Sequence, residues 1–234
     1  MLSTESVSVL EDEKTKPTDK AQITIKNILI RVTLEFMYNN CMFTEQKFQI
    51  NKLVGISDKT IEEHLKLYSG YVKNANGIIE KMASLDSEKD AYIVGEMFRR
   101  FSFEWGGMRN HEVYFSLLEG GAKDLNNEST LGKRLMELFG NYETFLKEFT
   151  SLALTRGVGW AVLWYDKKSD KLLTSWIDEQ HLGQLNGCHM ILALDMWEHS
   201  YVADYQPSGK KQYIEDFFKN INWSVAEKYF ENAQ

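Results

Sequence analysis

The sequence predicts an α+β protein: an N-terminal antiparallel helical hairpin followed by an α/β domain with a three-stranded antiparallel sheet. Three observations lead there. Long stretches between Ser57 and Leu118 repeat apolar residues at helical spacing. Two runs rich in β-formers, 160–165 and 172–177, flank the turn-forming Lys167-Lys168-Ser169-Asp170. A third apolar run, 190–194, has the length of a buried strand. On this reading the chain divides into an extension (1–46, its first part disordered), a helical hairpin domain (47–120) and a C-terminal α+β domain (121–234).

Taken in order, residues 1–22 are polar and charged, with too few large apolar groups to build a core. In 23–36, Ile28, Ile30, Val32, Leu34 and Phe36 alternate as in a strand, while Ile25, Ile28, Leu29, Val32 and Phe36 also share a helix face. The lack of turn residues leans that segment towards helix. Ser57 is an N-cap residue with Asp58 behind it, and Ile61, His64, Leu65, Tyr68, Val72 and Ala75 form one stripe of a helix reaching about Leu85. A second helix runs from Ala91 towards Trp105, and its pattern resumes after Gly106-Gly107 as far as Leu118. Residues 141–155 form an amphipathic helix with Phe145, Phe149 and Leu152 inside, and two further helices follow the sheet near 210–220 and 224–232.

Composition narrows the function classes. The chain has 234 residues, 43% of them hydrophobic, enough for a sizeable core without staples. A net charge of -7 argues against nucleic-acid binding, and no apolar run is long enough to span a membrane. With only 2 cysteines, Cys41 and Cys188, neither a disulfide framework nor a cysteine zinc site is expected. That usage, and an N-terminus without a secretory signal pattern, point to a cytoplasmic protein.

Chemistry concentrates in Asp195-Met196-Trp197-Glu198-His199, which sets a carboxylate and an imidazole four residues apart. Such a pair can reach one metal ion from a single turn of chain, although alone it is more often a solvated ion pair. His64 and His111 both lie on apolar helical faces, where an isolated histidine is usually a hydrogen-bonded core residue. Two inward histidines on adjacent helices can nonetheless point at one spot. If Asp195 and His199 meet them there, the donor set suits iron, manganese or zinc.

The segments Asp195-x-Trp197-Glu198-His199-x-Tyr201, Asn110-His111-x-x-Tyr114-Phe115 and Gly157-x-Gly159-Trp160-Ala161, with Asn222-Trp223 downstream, resemble the iron/manganese superoxide dismutases. The resemblance covers about 47–229 and implies a metalloenzyme that converts superoxide to dioxygen and hydrogen peroxide. It implies that His64, His111, Asp195 and His199 hold one Mn or Fe ion per subunit. Trp160 and Trp197 would wall the pocket. Glu198 would cross a homodimer interface to the partner's ligand histidine. A tyrosine after the first histidine, Tyr68 or Tyr71, would gate the substrate channel.

The chain departs from that family at several places. The histidine-rich run after the first ligand is absent, and the interval from His64 to Tyr71 is one residue short. Val202 stands where a second tyrosine is usual, and where relatives carry an arginine near the funnel this chain offers Lys210 or Lys211. Iron-type members place a glutamine four residues before the second histidine; here that residue is Gly107. The solvent partner would instead come from the loop before the last strand, as Gln180 or His181, an arrangement like the manganese type that leaves the metal open. The runner-up reading is a non-catalytic or zinc-binding structural relative of the same fold.

Overall fold

A computed structural model describes residues 42–234; the polar tail and the segment 23–36 lie outside the described residues. Helix α1 (Asp58–Ser84) begins where the sequence indicates, with Ser57 accepting a hydrogen bond from the Thr60 N–H at 3.2 Å. Its predicted stripe is buried at Ile61, His64, Tyr68, Val72 and Ala75, and the burial continues through Ile78 and Ile79. Helix α2 (Ala91–Leu118) returns against it, completing the hairpin.

The pause that the sequence pattern suggested at Gly106-Gly107 is no break, since α2 runs through both residues. Both glycines serve close approach. A Cβ on Gly106 would lie 2.2 Å from the Gln180 carbonyl oxygen, and one on Gly107 would lie 2.5 Å from the Tyr71 ring. Each costs about 1 kcal/mol of helix propensity relative to alanine, so the tight contact is what holds them there.

The first helix after the hairpin lacked a sequence expectation. Helix α3 (Thr130–Phe139) is capped by Ser129, which accepts from the Gly132 N–H at 3.0 Å, and ends at Gly140 with a left-handed φ of 81°. Helix α4 (Tyr142–Ala153) follows, with Asn141 as its cap and Phe145 and Phe149 buried.

The sheet comprises β1 (Gly159–Asp166), β2 (Lys171–Asp178) and β3 (His189–Asp195), antiparallel in the order β2-β1-β3. The central strand, β1, is buried along nearly its whole length, which explains its continuous apolar sequence. Its register pairs Trp160 with Ile177 on one side and with Asp195 on the other. The last residue of β3 thus arrives beside the first large side chain of β1. A short 3-10 turn (Glu198–Ser200) follows, then α5 (Val202–Tyr205), α6 (Lys210–Asn220) and α7 (Trp223–Ala233). Among the described residues no helix is long and apolar enough to cross a membrane.

Candidate metal centre

Four side chains from four places in the fold meet in the interior. His64 comes from the second turn of α1, His111 from α2, Asp195 from the end of β3, and His199 from the 3-10 turn after it. One donor atom from each lies within 4.8 Å of the other three. Asp195 Oδ2 is the hub, at 3.0 Å from His64 Nε2, 3.2 Å from His199 Nε2 and 3.5 Å from His111 Nε2. The other carboxylate oxygen, Oδ1, accepts the Trp197 backbone N–H at 2.8 Å, so only Oδ2 is presented to the centre.

The donor set fits a cation. His111 Nδ1 is 2.6 Å from the Gly107 carbonyl oxygen and must donate to it, which leaves Nε2 as a lone pair. That buried nitrogen has no hydrogen-bond partner, although it faces a carboxylate oxygen. Imidazole lone pairs gathered around a carboxylate in a dry pocket repel one another unless a positive charge sits among them. Electrostatics point the same way. Burial, reinforced by the neighbouring His64, pushes the His111 imidazole down to about 3, and burial also lowers His64, so both rest as neutral ligands. Burial alone would raise the Asp195 carboxyl, but the imidazoles of His199 and His64 outweigh it and hold the group below the usual carboxylate range. The side chain of His199, at 22% exposure, is the tetrad's one opening towards solvent.

Aromatic rings line the pocket. Trp160 lies 4.9 Å from the His111 ring and Tyr71 5.1 Å from it, while Trp197 stacks on His199 at 5.8 Å. Gln180 is fully buried between the first two: its Oε1 accepts from Trp160 Nε1 at 2.9 Å and its Nε2 donates to the Tyr71 hydroxyl at 2.9 Å. The sequence left two pairs of alternatives here, and their members have different surroundings. Tyr71 reaches Gln180, whereas the Tyr68 hydroxyl accepts from the Gln46 N–H at 2.8 Å and donates to Glu112 at 3.2 Å. His181 turns from Gln180's position to lie edge-on to Phe103 at 5.7 Å. Glu198 is exposed beside His199.

Lys210 and Lys211, the lysines expected near the funnel, have partners of their own. The ammonium of Lys210 donates to the Thr155 carbonyl at 3.0 Å and lies over the Trp176 ring, while Lys211 lies 4.0 Å from Glu215. Sequence reasoning also passed over Asn110 as a site residue. Its amide donates to the Gln180 carbonyl at 3.0 Å from a fully buried position, tying the His111 helix to the Gln180 loop. The available signal was a polar residue directly before His111 in the second hairpin helix.

Comparison with known proteins agrees with this geometry. Residues 47–119 match the alpha-hairpin domain of iron/manganese superoxide dismutases, and residues 127–229 match the C-terminal domain of the same enzymes. Among curated relatives, a superoxide dismutase (Fe) of Cupriavidus metallidurans is 35% identical over 187 residues, covering 78% of this chain and 92% of the relative. One from Aquifex aeolicus, also named for iron, is 33% identical over 188 residues, covering 77% and 87%. A mitochondrial superoxide dismutase (Mn) of Glossina morsitans morsitans is 31% identical over 189 residues, covering 79% and 86%. With both domains matched in order and relatives of either metal aligned along most of their length, the chain belongs to the iron/manganese superoxide dismutase family.

Proposed function

We propose that this protein disproportionates superoxide to dioxygen and hydrogen peroxide, with one Mn or Fe ion per subunit held by His64, His111, Asp195 and His199. The observation that carries this reading is the convergence of those four donors around Asp195 Oδ2 in a buried pocket. When bound, such an ion supplies a one-electron couple between its trivalent and divalent states. Zinc suits the same donors but has no such couple, which makes it the discriminating control.

The chain's own residues govern protons and access. Burial, then the charges of Asp195 and Glu104, raise the Tyr71 hydroxyl, so it stays protonated at neutral pH. Because that hydroxyl accepts from Gln180, its own hydrogen remains free to be donated to a developing peroxide. Tyr71 is therefore our choice of gate over Tyr68, and Gln180 our choice over His181 as the amide that orients the pocket. Trp160 and Trp197 exclude bulk water. Glu198, exposed beside His199, is suited to reach the ligand histidine of a second subunit across a two-fold contact, which makes the active form a homodimer. A reducing, cytoplasmic setting suits the two cysteines.

The test is to strip the purified protein, reload it separately with Mn, Fe and Zn, and measure both metal stoichiometry and superoxide consumption. Activity with Mn or Fe at about one ion per subunit, and none with Zn, is the expected result. A protein that binds one Mn or Fe ion yet leaves superoxide untouched would refute the proposed reaction.

A further inference from the structure

A cation on α2 packs against the aromatic wall of the pocket. The Arg100 guanidinium lies 3.9 Å over the Phe103 ring, and that ring in turn meets Tyr71 at 6.1 Å, His181 at 5.7 Å and Trp197 at 6.5 Å. Tyr71 and Trp197 are the rings flanking His111 and His199. Beneath the guanidinium is an anion. Arg100 Nε donates to Glu104 Oε1 at 2.7 Å, and the two side chains differ sharply in exposure, 57% for Arg100 and 3% for Glu104. Asn74 adds a hydrogen bond to Glu104 Oε2 at 3.2 Å.

A buried carboxylate beside the path of an anionic substrate is a liability, because low-dielectric surroundings lengthen its reach. Phe103 joins the pair to the pocket wall, since its ring meets both Tyr71 and Trp197. The α1–α2 groove outside the pair adds Lys73 and Lys81 against Glu80. We propose that the Arg100–Glu104 pair sets the electrostatic barrier to small anions passing Phe103 and Tyr71, with Arg100 cancelling the buried charge of Glu104. An ion pair that merely braced α2 would affect stability alone. A barrier-setting pair makes anion affinity follow the sign of the charge left behind.

The inference rests on the metal centre proposed above and is tested with azide, a small monoanion, titrated into the Mn- or Fe-loaded protein and followed by visible absorption. Arg100→Gln should weaken azide binding roughly threefold, Arg100→Glu should weaken it further, and Glu104→Gln should tighten it by a similar factor. Arg100→Lys, which keeps the charge, should stay near the wild-type value. Lys66→Gln, an equal change in net charge on the exposed face of α1 beside Glu63, should leave it unmoved. If Glu104→Gln does not fold, the Arg100 series alone still decides. Affinities that ignore charge at position 100, or that shift equally for Lys66→Gln, would overturn the proposal. A loaded wild type that neither consumes superoxide nor binds azide would instead remove the centre on which it rests.

Discussion

The two halves of the tetrad are held in different ways. Asp195 and His199 come from one short stretch that fixes itself: Trp197 N–H bonds Asp195 Oδ1 at 2.8 Å, and Ser200 Oγ donates to the Asp195 carbonyl at 3.0 Å. His64 and His111 sit within long helices; a local bond to the Gly107 carbonyl holds the His111 ring, but nothing local brings the two histidines together. Their meeting depends on how closely α1, α2 and the Gln180 loop pack, which the glycines at 106 and 107 permit. The C-terminal half is therefore a preformed chelating pair, and the hairpin half a product of tertiary packing. Changes on the first side should act on metal binding, and changes on the second on stability and pocket shape.

The largest effect belongs to the hub. Asp195→Asn removes the one charge that three imidazoles surround and replaces an acceptor with an N–H donor facing lone pairs. Metal affinity should fall by at least about a hundredfold, with loss of superoxide consumption, since even supporting residues of such sites cost ten- to a hundredfold. Metal content per subunit after dialysis against a chelator measures this. Near-stoichiometric metal in the variant would mean that Asp195 is not a ligand.

Gly106→Ala tests the packing half. Its Cβ would stand 2.2 Å from a backbone carbonyl, which has no rotamer through which to yield. Either α2 or the Gln180 loop must move, at about 1–3 kcal/mol for overpacking. Denaturant unfolding should report the loss. A crystal structure should show the Gln180 amide displaced from Tyr71 and Trp160. An unchanged midpoint would mean the contact is soft.

Acid should strike the hairpin half first in the metal-free protein, and the C-terminal half only at lower pH. His111, pushed down from 6.5 to about 3, and His64, also lowered, bind fewer protons folded than unfolded across this range. Their contribution is complete above the unfolded value of about 6.5 and drains as pH falls towards the folded value. Asp195, held below its ordinary range, adds stability that is present above the unfolded value near 3.9 and is lost as pH drops through the folded one. The signs agree, so the melting temperature of the apoprotein should decline steadily from pH 6.5 towards pH 4, and bound metal should be released in the same interval. A flat profile there would show that the imidazoles are not buried neutral groups.

The same contrast explains what could be read from the sequence. The hairpin and the strands follow from periodicity and local spacing, the four donors from motifs that resemble a known family, and the cap at Ser57 marks the start of α1 directly. Residues decided by distant partners do not. Tyr68 and Tyr71 lie within one helical turn, and only Gln180, 109 residues further on, distinguishes them. Gln180 and His181 are neighbours in a loop whose path is set by Glu179 in a left-handed conformation (φ 52°) and by bonds from the Trp197 indole and the Asn110 amide. Gly106-Gly107 resembled a helix break because glycine signals both a turn and a close approach, and choosing between them needs the neighbour. Helix α3 had both its signals, Ser129 before it and Gly140 after it, but its ten residues are too short for a compelling apolar period.

The smallest effect probes where the two halves are tied. Ser57 caps α1 through Oγ, and its backbone N–H donates at 2.8 Å to Asp204, just beyond the tetrad's C-terminal pair. Ser57→Ala deletes the cap but keeps the backbone bond to Asp204. The cost should be about 1 kcal/mol, a fall in melting temperature of roughly 2–4 °C for a domain of this size. His64 lies two helical turns inside α1, so fraying of the first turn should not reach it. Metal content and activity should accordingly match the wild type within error while thermal unfolding shifts. A parallel loss of metal would show that the hairpin ligand depends on the start of its helix as well as on the packing at Gly106 and Gly107, and the line drawn between the two halves would have to move to Ser57.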